Sequence, residues 1–134
     1  MTAPAGLSED DRRYRKSRIV WAAMLASVVL YVPVAILVRP AATAENTNVE
    51  RVLMALAVAY VAASIPAKRW LLVQANAVDS QRLRDLALVV PLLLCEIAAI
   101  TGLALRFAVG STHYYVFLAV AFIGMLLHFP RRPN

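Results

Sequence analysis

Four apolar runs, separated by short polar segments, dominate the pattern of the chain. They cover residues 19–38, 52–72, 86–105 and 114–129. About twenty residues of α-helix, at 1.5 Å per residue, cross the hydrocarbon core of a bilayer, which is about 30 Å thick. The pattern therefore predicts an all-α, polytopic membrane protein with four transmembrane helices. In the second run, Lys68 and Arg69 are expected to direct their charges towards the membrane surface.

The composition agrees with this pattern and narrows the classes of function. Of the 134 residues, 61% are hydrophobic and 16% are charged, whereas a soluble domain is usually about 45–50% apolar and about 25% charged. We expect one membrane domain at residues 19–134, preceded by a basic tail at residues 1–18, with a polar connection at about 74–84. These polar segments are too short to form a catalytic domain, so we expect no enzymatic activity. The single Cys95 excludes an intrachain disulfide, and we expect no metal and no cofactor.

Basic residues mark the ends of the predicted spans. Of the fourteen, five lie in residues 1–18, four between residues 68 and 84, two at the C-terminus, and three on the other side of the predicted bundle. The positive-inside rule then places both termini in the cytoplasm, and we expect a bacterial inner (plasma) membrane. The net charge of +6 predicts contacts with the lipid bilayer and not with nucleic acid. The residues expected to contact lipid head groups are Arg12, Arg13, Arg15, Lys16, Arg18, Lys68, Arg69, Arg131 and Arg132.

Glu96 is the only carboxyl group near the middle of a predicted span. A carboxylate at that depth is costly, so the group must take up a proton or find a partner. No Lys or Arg is expected at the same depth, and we therefore predict that Glu96 is mostly protonated at neutral pH. It is the candidate proton- or ion-binding residue, although a purely structural hydrogen bond between helices is an alternative. The hydroxyl groups expected at similar depth are those of Ser27, Tyr31, Tyr60 and Ser64.

Small residues at helical spacing predict where the spans approach closely, because helices in lipid associate through close packing. One such face lies on the second span and another on the third. These faces can pack inside a four-helix bundle, or they can form the interface of a homo-oligomer. The helix-packing residues are Ala55, Ala59, Ala62, Ala63, Cys95, Ala98 and Gly102.

The segment from Glu96 to Leu103, EIAAITGL, resembles the ion-binding helix of the ATP synthase subunit c family. That helix often has a carboxylate, three residues, an aliphatic residue, one further residue and then Gly-Leu. Over residues 52–105, an Ala-rich span, a basic connection and the carboxylate helix follow in the order of a subunit c hairpin. The resemblance implies that Glu96 binds and releases a proton within a ring. The family's inner helix is usually rich in Gly, whereas residues 52–67 contain none.

Three functions follow from these observations. The first is a small integral membrane subunit that acts through helix–helix association, as a homo-oligomer or as an accessory subunit of a larger membrane complex. The second is a proton- or ion-binding subunit similar to subunit c. The third is a small transporter. The small multidrug transporter family also has a membrane-embedded Glu, but in its first span, where this chain has no carboxyl group.

Overall fold

The computed structural model describes residues 9–39 and 47–130 and contains four α-helices in these ranges. They are α1 (Glu9–Leu37), α2 (Thr47–Ala77), α3 (Gln81–Val109) and α4 (Tyr114–Leu127). The described ranges contain no β-strand, so the all-α prediction is confirmed. α1, α2 and α3 are long and apolar enough to cross a membrane. α4 is apolar but has only 14 residues.

The helices differ from the apolar runs at their ends. α1 begins at Glu9, so residues 9–18 of the predicted tail are helical. α2 and α3 both extend into the polar connection predicted at about 74–84, so only residues 78–80 separate the two helices. α4 is two residues shorter than the predicted span. Hydropathy marks the part of a helix that suits lipid, whereas the helix itself continues until a turn interrupts its hydrogen bonds. One such interruption is Gly110, which ends α3 with φ of 74°, a conformation that Gly adopts at no steric cost.

α3 is the central helix of the fold. It packs against α1, α2 and α4, whereas α1 and α2 do not contact each other in the part of the chain that the structure describes. The core lies along α3 and α4, where Leu92, Cys95, Phe117 and Met125 are fully buried. Glu96 on α3 faces α1, while Cys95 lies about 100° further around the helix. The two neighbouring residues of α3 therefore serve different interfaces.

Successive helices run in opposite directions. At one end of the bundle, Trp21 near the start of α1 donates its Nε1–H to the carbonyl of Met125 near the end of α4, at 2.8 Å. At the other end, Glu50 near the start of α2 lies beside His113 at the start of α4. We call the first end, which holds the starts of α1 and α3 and the ends of α2 and α4, the basic end. Its placement on the cytoplasmic side stays a prediction.

The small-residue faces have different surroundings. Cys95, Ala98 and Gly102 on α3 are buried in the core, as the packing prediction requires. The small residues of α2 predicted to pack, Ala55, Ala59, Ala62 and Ala63, are all exposed. These alanines therefore do not pack inside the bundle, and an interface with another chain is the alternative prediction that is left for them. The face of α2 that packs inside the bundle instead carries Ala57, Ser64 and Ala75, each with 0% exposure.

Candidate functional site

The candidate site lies at the interface between α1 and α3, around the half-buried Glu96. Its Oε1 atom lies 3.0 Å from the hydroxyl oxygen of Ser27 and 3.0 Å from that of Tyr31. Ser27 and Tyr31 are four residues apart on α1, which places both hydroxyls on one face of the helix. Two of the four predicted hydroxyl partners are thus brought to a single carboxyl oxygen.

The other two predicted partners lie elsewhere. Ser64 faces the end of α4, where its Oγ is 2.7 Å from Nε2 of His128 and donates to the carbonyl of Val61 at 2.5 Å. Tyr60 is exposed on α2. The expectation that Tyr60 and Ser64 bond Glu96 is wrong, because α2 packs on a different side of α3 from α1. Similar depth in the membrane does not determine which side of a helix a residue faces.

The second carboxyl oxygen of Glu96 is not sealed inside the core. The contacts with Ser27 and Tyr31 are both made by Oε1. In the described part of the chain, no buried side-chain nitrogen or oxygen lacks a hydrogen-bond partner. Oε2 is therefore not a fully buried atom without a partner, which agrees with the half-buried position of Glu96.

Two acceptors lie within reach of the one hydroxyl hydrogen of Ser27. The Oγ atom of Ser27 is 2.7 Å from the carbonyl oxygen of Met24 as well as 3.0 Å from Oε1 of Glu96. A serine hydroxyl has one hydrogen to donate and can accept others. That hydrogen is therefore shared between the carbonyl of Met24 and Oε1 of Glu96, while Tyr31 donates a second hydrogen bond to Oε1.

Replacing Tyr31 with Phe tests how strongly this site holds α1 to α3. Tyr31→Phe removes one hydroxyl from Glu96 without changing the ring, and we expect the free energy of unfolding to fall by about 0.6–1.7 kcal/mol, the range for single hydrogen bonds between membrane helices. The measurement is an SDS unfolding titration in mixed micelles. Tyr60→Phe is the matched control, because Tyr60 is exposed on α2. A loss of equal size in both variants would contradict a specific contact with Glu96.

A second polar cluster lies at the end of the bundle opposite the basic end. Oε1 of Glu50 accepts a hydrogen bond from Ser111 Oγ at 2.5 Å and lies 2.9 Å from Nδ1 of His113. The backbone N–H of His113 donates to Ser111 Oγ at 3.2 Å. In a Ser-His-acid catalytic triad the imidazole lies between the hydroxyl and the carboxylate, but here the carboxylate lies between the other two. The cluster therefore does not have the order of a triad, and it joins the start of α2 to the α3–α4 connection.

Sequence reasoning missed this cluster, although Ser111 and His113 stand directly after the helix stop at Gly110. Their partner Glu50 lies 61 residues before Ser111. Only the antiparallel packing of α2 and α3 brings the two segments together. The pair of Ser64 and His128 was missed for the same reason, since 64 residues separate them.

The residues predicted to contact lipid head groups are mostly at the basic end. Those on α1 occupy its first ten residues, where Arg13 forms an ion pair with Glu9 at 2.6 Å and the guanidinium of Arg18 lies over the ring of Tyr14. Lys68 is half-buried on α2 and Arg69 is exposed. Arg131 and Arg132 lie outside the described residues. Within the described residues, no three His, Cys, Asp or Glu side chains converge as metal ligands would.

Within residues 9–39 and 47–130 the fold is all-helical, with four helices, three of which are long and apolar enough to span a membrane. Comparison with protein families, with curated proteins and with solved structures finds no match for this chain.

Proposed function

We propose that this protein is a small integral membrane subunit that acts by associating with another helix through the outer face of α2. A second copy of the chain is the first candidate partner, and a different subunit of a larger membrane complex is the alternative. The observation that carries the proposal is the exposed set of small residues Ala55, Ala59, Ala62 and Ala63. We call this set the alanine face.

The alanine face points directly away from the bundle. At 100° per residue, its four members fall within about 100° of arc. The centre of that arc is about 180° from Ala57, Ser64 and Ala75, which pack inside. The alanine face is therefore an outer surface of the protein and not a partly filled seam between its own helices.

Other exposed parts of the helices carry bulky apolar side chains, as a surface in contact with lipid does. Examples are Leu30 with 63% exposure, Ile36 with 65% and Ile123 with 57%. The alanine face lacks such bulk over two turns of α2. Close approach of another helix gains van der Waals contact there, and in lipid this contact is a main driving force for association.

The test is the mass of the purified protein in nanodiscs or in mild detergent, with Ala59→Leu as the disrupting variant. We expect an oligomer that dissociates about 5- to 150-fold more readily in the variant, because overpacking a close contact costs about 1–3 kcal/mol. Ala104→Leu is the matched control, since Ala104 is exposed on α3 and should leave the mass unchanged.

A monomeric wild-type protein would contradict self-association. If a different membrane protein then copurifies in fixed ratio and is lost on Ala59→Leu, the alanine face serves an accessory role in a larger complex. If the wild type and both variants are monomeric and without a fixed partner, the proposal fails.

A second candidate, a proton- or ion-binding subunit similar to subunit c, is favoured by the hydrogen-bond arrangement at Glu96. Ser27 and Tyr31 both donate a hydrogen bond to Oε1, and neither contacts Oε2, so the second oxygen is the one available to a proton or an ion. The same mass measurement separates this candidate from the first, because a closed ring of many copies supports it and a dimer contradicts it.

A further inference from the structure

A cavity of about 560 Å³ lies at the basic end of the bundle, between α2 and the end of α4. One wall is formed by α2, which contributes Ile65, Lys68, Arg69 and Leu72. Residues with the spacing i, i+3, i+4 and i+7 lie on a single face of an α-helix. The end of α4 and the residues after it form the other wall. The size is that of a ligand cavity, which typically holds about 300–1,000 Å³. It belongs neither to the Glu96 site nor to the alanine face.

The lining combines two positive charges with apolar walls. Lys68 and Arg69 are the cations, and none of the residues that line the cavity is acidic. Lys68 is half-buried and lies close enough to His128 for its charge to act on the imidazole. The apolar walls include Ile65 and Leu127. Such a lining suits a molecule with an anionic group next to hydrocarbon.

The cavity lies beside α2 and not at its end. α2 continues to Ala77, nine residues beyond Lys68, which is about 13 Å of helix. At the same end of the bundle, the ring of Trp21 packs edge-on against Phe129, another lining residue, with 4.9 Å between centroids. Trp side chains in membrane proteins concentrate at the level of the lipid head groups. The two cations are therefore placed where a lipid phosphate can reach them from the side.

The inner wall of the cavity is held by a buried hydrogen bond. Ser64 has 0% exposure and His128 has 3%, and their side chains are 2.7 Å apart. Ser64 also donates to the carbonyl of Val61, so the imidazole is fixed against α2. Lys68 and Arg69 are the cationic side chains that line the cavity, while His128 positions the wall.

We propose that this cavity binds the phosphate group of one anionic phospholipid, with Lys68 and Arg69 as its cationic partners and with the lipid's hydrocarbon against Ile65 and Leu127. Basic pockets between membrane helices hold lipid head groups in this way. A lipid is favoured over a free phosphate ion because most of the lining is apolar. This site is independent of the association proposed for the alanine face.

The test is native mass spectrometry of the full chain, released from detergent after titration with phosphatidylglycerol or with phosphatidylcholine. The wild type is expected to retain one phosphatidylglycerol in preference to phosphatidylcholine. Lys68→Gln combined with Arg69→Gln should weaken that binding about 30-fold, because each cation near an anionic lipid contributes about 1 kcal/mol. Leu127→Trp should also weaken it, by filling the cavity without changing the charge. Circular dichroism checks that both proteins are folded.

The matched control is Arg39→Gln combined with Arg51→Gln, which removes the same charge from exposed positions at the opposite end of the bundle. It should change the binding of phosphatidylglycerol by less than about twofold. An equal loss in both double variants, or equal retention of the two lipids, would overturn the proposal in favour of general surface charge. Displacement of phosphatidylglycerol by millimolar inorganic phosphate would overturn the assignment to a lipid.

Discussion

Gly102→Ala is expected to lower the free energy of unfolding by about 1–3 kcal/mol, as overpacking a closely packed core does. A Cβ added at Gly102 would overlap the Cβ of Phe117 and come within 3.2 Å of the carbonyl oxygen of Tyr114. Both of these atoms are fixed to the backbone of α4, so no change of rotamer can move them away. The substitution must therefore push α3 and α4 apart, at the point where the fully buried Phe117 completes the core.

Whether Gly102→Ala lowers or raises the free energy of unfolding shows whether close packing or helix propensity dominates at this position. Propensity alone makes Ala about 1 kcal/mol more favourable than Gly in an exposed helix. An SDS unfolding titration of Gly102→Ala measures the difference, with Ala104→Leu on the exposed side of α3 as the control, expected to lie within about 0.5 kcal/mol of the wild type. A more stable Gly102→Ala protein would show that α3 and α4 are not in close contact.

Gly124→Ala extends the same argument to a site where the neighbours can move. Its added Cβ would lie 2.7 Å from Sγ of Cys95 and 2.8 Å from Cγ1 of Val61. Both atoms are at the ends of side chains, which can rotate more readily than a backbone can shift. We therefore expect a smaller loss of stability than at Gly102, and the order of the two variants is part of the prediction.

Treatment with an apolar carbodiimide is expected to modify Glu96, and Glu96→Gln is expected to abolish this modification completely. Such a reagent partitions into the membrane and reacts with a protonated carboxyl group: a carbodiimide nitrogen takes the proton while the carboxyl oxygen bonds to the central carbon. Glu96 is only half-buried, and Ser27 and Tyr31 both contact Oε1, which leaves Oε2 for the reagent. Labelling should therefore be found at Glu96 and not at the carboxyl groups of the polar segments.

Peptide mass mapping after labelling checks that Glu96 is modified in the wild type and that the modification is lost in Glu96→Gln. Glu50→Gln is the control, because it removes the carboxyl group of the cluster at the opposite end of the bundle and should leave labelling intact. Modification that persists in Glu96→Gln would place the reactive carboxyl elsewhere. Absence of labelling at Glu96 in the wild type would weaken the second candidate function.

The polar site was predictable in part. Glu96 stands out in the sequence because it is charged in the middle of an apolar run, and the hydroxyls of Ser27 and Tyr31 followed from their depth on another span. Depth alone predicted Tyr60 and Ser64 as partners of Glu96 just as strongly as Ser27 and Tyr31. The structure separates the two pairs because α1 and α2 lie on different sides of α3, and the order of the helices around α3 is not encoded in their hydropathy.

The sequence by itself determined that the chain is helical and that long apolar segments follow each other in alternating direction, since the length and polarity of each segment decide these properties. Only the tertiary structure decided which face of α2 is buried. For a helix in water, the apolar face identifies the buried side, but in α2 both the buried Ala57 and the exposed Ala59 belong to an apolar run. In lipid the choice between such faces depends on how well the shapes of neighbouring helices fit. Here that fit includes Gly124 against Cys95 and Val61, a property of three helices together that no single segment contains.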